Sequence, residues 1–88
     1  MPEKTTEELL EEREKTHGDF TVHAIITQSI KECYGVTIGY ENLTSPQKEA
    51  LDMIAHKIGR IIAGNPDVKD HWDDIAGYAK LVSMRIEE

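Results

Sequence analysis

A net charge of −7 over 88 residues argues against broad binding to a nucleic-acid backbone, which needs a basic stripe. A single cysteine excludes an intramolecular disulfide and a thiolate metal cluster, and the longest apolar runs are too short to span a membrane. What remains is one domain over residues 1–88, with a flexible start at 1–4, whose one small core must supply nearly all the stability. The N-terminus is acidic and polar, which does not read as a signal peptide, and a lone cysteine suits a reducing cytoplasm.

Thr5-Thr6-Glu7-Glu8 carries a capping-box signature and predicts a helix to about Thr16. Residues 1–19 hold seven acids and three bases, so this is the acidic helix of the chain, and a solvated face is its simplest reading. His17-Gly18-Asp19 breaks it: Gly18 suits a left-handed position, and Asp19 or Thr21 can cap the next helix. Phe20 to Tyr34 is rich in β-branched residues, but some fifteen residues without a turn signal favour helix over strand. Cys33 reads as a small buried hydrophobe. Residues 36–43 read as a connector with one short turn.

Thr44-Ser45-Pro46-Gln47 is a strong helix start, with a hydroxyl cap, proline at the first helical position and glutamine three after the cap. Leu51, Ile54, Ala55, Ile58, Ile61 and Ile62 then form the cleanest apolar stripe of the chain, the expected core segment. Gly64-Asn65-Pro66-Asp67 stops this helix, Asp67 is the expected cap of the next, and the last helix runs from about 68–70 to Ile86. The short link makes the two antiparallel neighbours. In the last helix Trp72, Ile75, Ala76, Ala79 and Val82 form an apolar stripe with Trp72 in the core. Gly59 and Gly77 each cost their helix roughly 1 kcal/mol, which points to a close backbone approach within the hairpin. The expected fold is all-α, about four helices, with the C-terminal hairpin packed on two N-terminal helices.

Polar residues at one-turn spacing mark where chemistry could lie. Asp52, His56, Lys57 and Arg60 share the third long helix, and Asp70, His71, Asp74 and Tyr78 the fourth. If those faces meet, the carboxylates Asp70 and Asp74 could hold a divalent metal, the cations could take phosphate oxygens, and Tyr78 could stack on a base. The plainer alternative is a set of surface ion pairs worth little. His17 and Asp19 at the glycine break are a second candidate, for metal or acid–base work. Their plainer reading is a helix stop followed by a cap. His23 and His56 lack a metal-ligand spacing and read as structural.

The order Glu12-Arg13-Glu14 … His17-Gly18-Asp19-Phe20, then Gln47 to Ala55 with Lys57 and Arg60, then Asp70-His71-Trp72 … Asp74-Ile75-Ala76-Gly77-Tyr78 is distinctive. It resembles a family of small phage- and prophage-encoded proteins of unknown function. That family looks related to phage nucleotide-modification-associated domains, and more distantly is similar to the all-α MazG-like nucleoside triphosphate pyrophosphohydrolases. The resemblance implies an all-α fold and a nucleotide-related role in the cytoplasm, the host's if the chain is phage-encoded. By position it implies His17, Gly18, Asp19, Lys57, Arg60, Asp70, His71, Trp72, Asp74, Gly77 and Tyr78 as motif residues. MazG-like enzymes hold magnesium on paired carboxylates. Here Glu8/Glu11 and Asp70/Asp73 offer the spacing while Asp74 is out of register, which counts against hydrolysis and leaves nucleotide binding open.

The expectation is therefore a ligand site of His17, Asp19, Lys57, Arg60, His71 and Tyr78, with Asp70 and Asp74 for magnesium where a metal takes part. The ligand is a nucleotide or nucleotide-derived molecule. The alternatives are a MazG-like pyrophosphohydrolase, and an accessory or anti-defence protein that binds a host protein or sequesters a nucleotide signal. A small core and the apolar Tyr34, Val36, Ile38 and Tyr40 add an expectation of a homo-oligomer.

Overall fold

The computed structural model describes residues 3–86, and over them the chain is all-α: α1 Thr6–His17, α2 Phe20–Gly35, α3 Ile38–Glu41, α4 Ser45–Ala63 and α5 Lys69–Ser83. Of the expected flexible start, residues 1–2 lie outside the described ones, while Lys4 pairs with Glu12 of α1. The expected connector contains α3, a single four-residue turn capped by Thr37.

The helix starts arise from local chemistry. Thr5 Oγ1 accepts from the Glu8 amide at 3.1 Å and Asp19 Oδ2 from the Val22 amide at 3.1 Å. Thr44 and Gln47 exchange both bonds of a full capping box. The exception is α5, whose N-cap is Val68 with no side-chain bond; Asp67 instead donates its amide to Asn65 Oδ1 at 2.9 Å. The tight Asn65–Asp67 turn consumes the residue that was expected to cap.

Helix α4 is the spine, packed against α5 on one side and α2 on the other, while α2 and α5 scarcely touch. The two sides of α4 alternate along its sequence. Lys57 meets Asp74 of α5, whereas Asp52, His56 and Gly59 meet Tyr34, His23 and Thr27 of α2. Residues two apart on a helix lie on nearly opposite sides, so α2, α4 and α5 form a single layer.

Gly59 has a structural reason, though its partner is α2 rather than α5. A Cβ there would lie 2.3 Å from Thr27 Oγ1 and 2.6 Å from the His23 ring. Around Gly77 nothing lies within 4 Å of the Cβ position, so the expected close approach at Gly77 does not occur. A second close approach joins α1 to the end of α4. Gly18 has φ of +79°, a Cβ there would overlap the Ala63 carbonyl, and the Asn65 amide donates to the Thr16 carbonyl at 3.2 Å.

The apolar patterns identify the buried residues only in part: Ala55 and Ile61 of the expected α4 stripe are buried, while Leu51 and Ile62 of the same stripe are exposed. Ala50, Ala55 and Ile61 are the buried hydrophobic residues, and no large side chain is fully enclosed among the described residues. His23, Thr27, Lys57 and His71 are buried with them. Trp72 is 54% exposed, its indole nitrogen donating to the Pro66 carbonyl at 2.7 Å, and Cys33 is exposed as well. Both were expected in the core. A single layer gives an outward-facing stripe nothing to pack against, which is why Leu51 and Ile62 also stand exposed.

Candidate functional site

Three pairs of polar side chains, each one turn apart in sequence, converge where α1, α2 and α4 meet. They are Arg13 with His17, Asp19 with His23, and His56 with Arg60, and all six line one cleft of about 430 Å³ together with Leu10, Glu14, Gly18 and Phe20. That volume lies within the usual range for small-molecule sites. The close packing of Gly18 on Ala63 and of Gly59 on His23 brings the three helices near enough to share it. At the rim Phe20 is 78% exposed.

Behind the cleft His71 is buried at 2% exposure, its Nε2 lying 3.3 Å from His17 Nδ1 and 3.4 Å from the Thr16 carbonyl oxygen. The carbonyl can only accept, so His71 Nε2 carries the proton. His17 Nδ1 also lies 3.3 Å from Thr16 Oγ1, whose own proton goes to the Arg13 carbonyl at 3.1 Å. On the other side, the His23 and His56 rings lie 4.5 Å apart between centroids.

The cleft sets two guanidinium groups, Arg13 and Arg60, beside two carboxylates, Glu14 and Asp19. Burial, followed by the Arg60 charge, lowers the pKa of His17, of His23 and of His56, the last to about 4. These rings are therefore neutral near pH 7. Arg60 itself is lowered by burial and by Arg13, with Asp74 and Tyr78 opposing. Neither Arg13 nor Arg60 forms an ion pair among the described residues, and Arg60 Nε is buried with no hydrogen-bond partner among them. Buried guanidinium nitrogens normally find an acceptor, so this one is unusual. Of the carboxylates at the cleft, Asp19 is committed to capping α2.

The eight residues expected to form the site divide. His17, Asp19 and Arg60 line the cleft, and His71 supports it from behind. Lys57 is buried in an ion pair with Asp74 at 2.8 Å, and this contact holds the Asp74 carboxyl below its ordinary pKa. The lysine nitrogen that was expected to take phosphate is thus engaged in tying α4 to α5. Tyr78 lines a separate, shallow groove with Asp73, Asp74, Gly77, Lys80 and Leu81, and Asp70 is exposed apart from both. Asp70 and Asp74 are not assembled with a further ligand: among the described residues no group of three or more His, Cys, Asp or Glu side chains could hold a metal ion. Asp73 pairs with Lys69 at 2.6 Å, and Asp52 accepts from the Tyr34 and Tyr40 hydroxyls at 2.9 and 3.1 Å.

Arg13 and His23 are cleft residues that sequence patterns alone did not place in the site, and His56, which shares the polar face of Arg60, was read as structural. Their one-turn partners His17, Asp19 and Arg60 were the available signal, because a residue one turn away shares the same helix face.

Among the described residues no helix is long and apolar enough to cross a membrane. No curated protein and no solved structure matches the chain. A family model matches residues 3–85, nearly the whole of the described chain, and spans every residue of the cleft and both close-packed glycines. The chain belongs to that family, described as a domain of unknown function, DUF6378.

Proposed function

We propose that the cleft between α1, α2 and α4 binds a small phosphorylated ligand of the nucleotide class. The observation that carries this reading is Arg60, whose buried Nε has no partner and whose charge is unpaired in a cleft that also holds Arg13. A planar guanidinium offers parallel donors to two phosphate oxygens, and such charge-assisted bonds are about twice as strong as neutral ones. His17 adds an imidazole to the same cleft. The apolar edge of the cleft, Leu10 and Phe20, would take the face of a base or sugar. Phosphate is what the cleft chemistry favours; the sequence resemblance to phage nucleotide-modification-associated domains is what narrows it to a nucleotide. Magnesium, where it takes part, would come bound to the phosphate oxygens.

The test is calorimetric titration with pyrophosphate and with nucleoside mono-, di- and triphosphates, each with and without magnesium. Saturable binding is expected, weakened at least tenfold in Arg60→Gln and unaffected in Asp70→Asn. Binding that is absent at millimolar ligand, or indifferent to Arg60→Gln, overturns the reading. Pyrophosphate release in the same mixtures separates a binding protein from a MazG-like hydrolase.

A further inference from the structure

We infer that the face of the α2–α4–α5 layer opposite Arg60 is the contact surface between two copies of this chain. Around α4, α5 occupies the side of Ala50 and Lys57 and α2 the side of Gly59. Of the two sides left over, one carries Met53 and Arg60 and the other carries Leu51, Ile58 and Ile62. Phe20 lines the cleft with Arg60, so the opposite flank of α2 is that of Val22 and Ile26. Ala79 shares a groove with Leu51 and Ile54, which puts the α5 flank bearing Ala79, and with it Trp72, on the same face. At helical spacing no Asp, Glu, Lys or Arg falls on this strip of any of the three helices. Val22, Leu51, Ile62 and Trp72 are exposed on it, Ile62 at 64%.

The area identifies the occupant. The protomer exposes 6718 Å², whereas a compact monomer of 10.0 kDa exposes about 5,200 Å². Its radius of gyration is 15.5 Å against about 12 Å for a compact chain of this length. Projecting α1, with no buried residue, accounts for part of the excess of about 1,500 Å². A standard interface covers about 800 Å² per partner and an obligate homodimer more, so the surplus is of the size one copy supplies to another. A domain core needs two packed layers, and α1 packs on the Arg60 side of the α2–α4–α5 layer, leaving the opposite face uncovered. A two-fold contact makes the apolar layer self-complementary, with the clefts facing outward. The contact is independent of what the clefts bind.

Trp72 is the only tryptophan and lies on the face, so it reports directly. The full chain is measured by sedimentation equilibrium and by tryptophan emission over a dilution series, beside Ile62→Glu and Ile25→Glu. Ile25 is equally apolar and exposed, at 62%, but by helix period points away from α4. The expected result is a mass near twice 10.0 kDa, a Trp72 emission that shifts red on dilution, and a melting temperature that rises with protein concentration. Ile62→Glu weakens association at least a hundredfold, whether the released protomer stays folded or melts, and Ile25→Glu leaves it within threefold of the parent. A folded monomer of 10.0 kDa with concentration-independent melting overturns the inference. So does a dimer that survives Ile62→Glu, or one broken only by Ile25→Glu, since each places the contact on another surface.

Discussion

Replacing Gly59 by alanine should destabilise the protein, although the same change in an ordinary helix interior stabilises it. Propensity alone favours alanine by about 1 kcal/mol. Against this, the new Cβ would meet Thr27 Oγ1 at 2.3 Å, His23 Cδ2 at 2.6 Å and the His23 carbonyl oxygen at 3.1 Å. Thr27 and His23 are both buried, so neither can swing clear without α2 moving off α4. Overpacking of this kind costs about 1–3 kcal/mol, and losing the fit of α2 puts this site at the upper end. The net is a loss of about 1–2 kcal/mol, or a melting temperature lower by roughly 5–10 °C for a domain of this size. Gly77→Ala is the internal control: nothing lies within 4 Å, so it should gain about 0.5–1 kcal/mol. Urea unfolding followed by far-ultraviolet circular dichroism, at one fixed protein concentration, measures both. If Gly59→Ala stabilises as much as Gly77→Ala does, the close approach of α2 and α4 is wrong.

Gly18→Ala should be more damaging still, about 3 kcal/mol or more, because it combines a φ of +79° with overlap on the Ala63 carbonyl; unfolding curves check it. Asp74→Asn should lower the melting temperature by stranding buried Lys57, and adding Lys57→Met should recover most of the loss in a double-mutant melting series. Burial and the Arg60 charge hold His56 near 4 in the fold, against an ordinary 6.5, so unfolding takes up a proton between those values. The ring is neutral in both states above about pH 6.5, and the fold is progressively destabilised as pH falls from there toward 4. His17 and His23 are lowered by the same causes and add to the acid-side loss. Urea midpoints should therefore fall steadily over that window, and His56→Gln should flatten the slope.

Local chemistry made the helices legible. Thr5, Asp19 and Thr44 cap the helices they precede, and Pro46 and the Gly64–Pro66 turn bound α4 where such residues must. The glycine cost at 59 correctly announced a close approach. It could not say to which neighbour, because a short link argues only for α5, and α2 reaches α4 through a contact distant in sequence. The core was only half legible for a related reason: Ala55 and Ile61 of the expected stripe are buried, but Leu51, Ile62 and Trp72 are not. An apolar stripe says that a face will be covered, not that the same chain covers it. Leu51, Ile58, Ile62 and Trp72 lie along one face of a single layer, while small or polar residues mediate the helix contacts. His17, Asp19 and Arg60 were found from their positions beside a glycine and on a polar helix face. Lys57 was expected to take phosphate and Asp74 a metal, but the two pair with each other and bind α4 to α5. His23 and His56, the latter on the polar face of Arg60, were read as structural because they lack a ligand spacing; only the tertiary contact sets their rings side by side.

Whether the cleft at α1, α2 and α4 takes phosphate is decided by proton magnetic resonance of the four histidine rings during titration with pyrophosphate. An anion beside Arg60 stabilises the protonated imidazoles, so binding must take up protons and tighten as pH falls from about 7.5 toward about 5.5. His17, His23 and His56 should shift on saturation and titrate at higher pH than in the free protein, with Arg60→Gln abolishing both effects. Histidine resonances that stay unmoved at saturating pyrophosphate, or that move equally in Arg60→Gln, would contradict phosphate binding at this cleft.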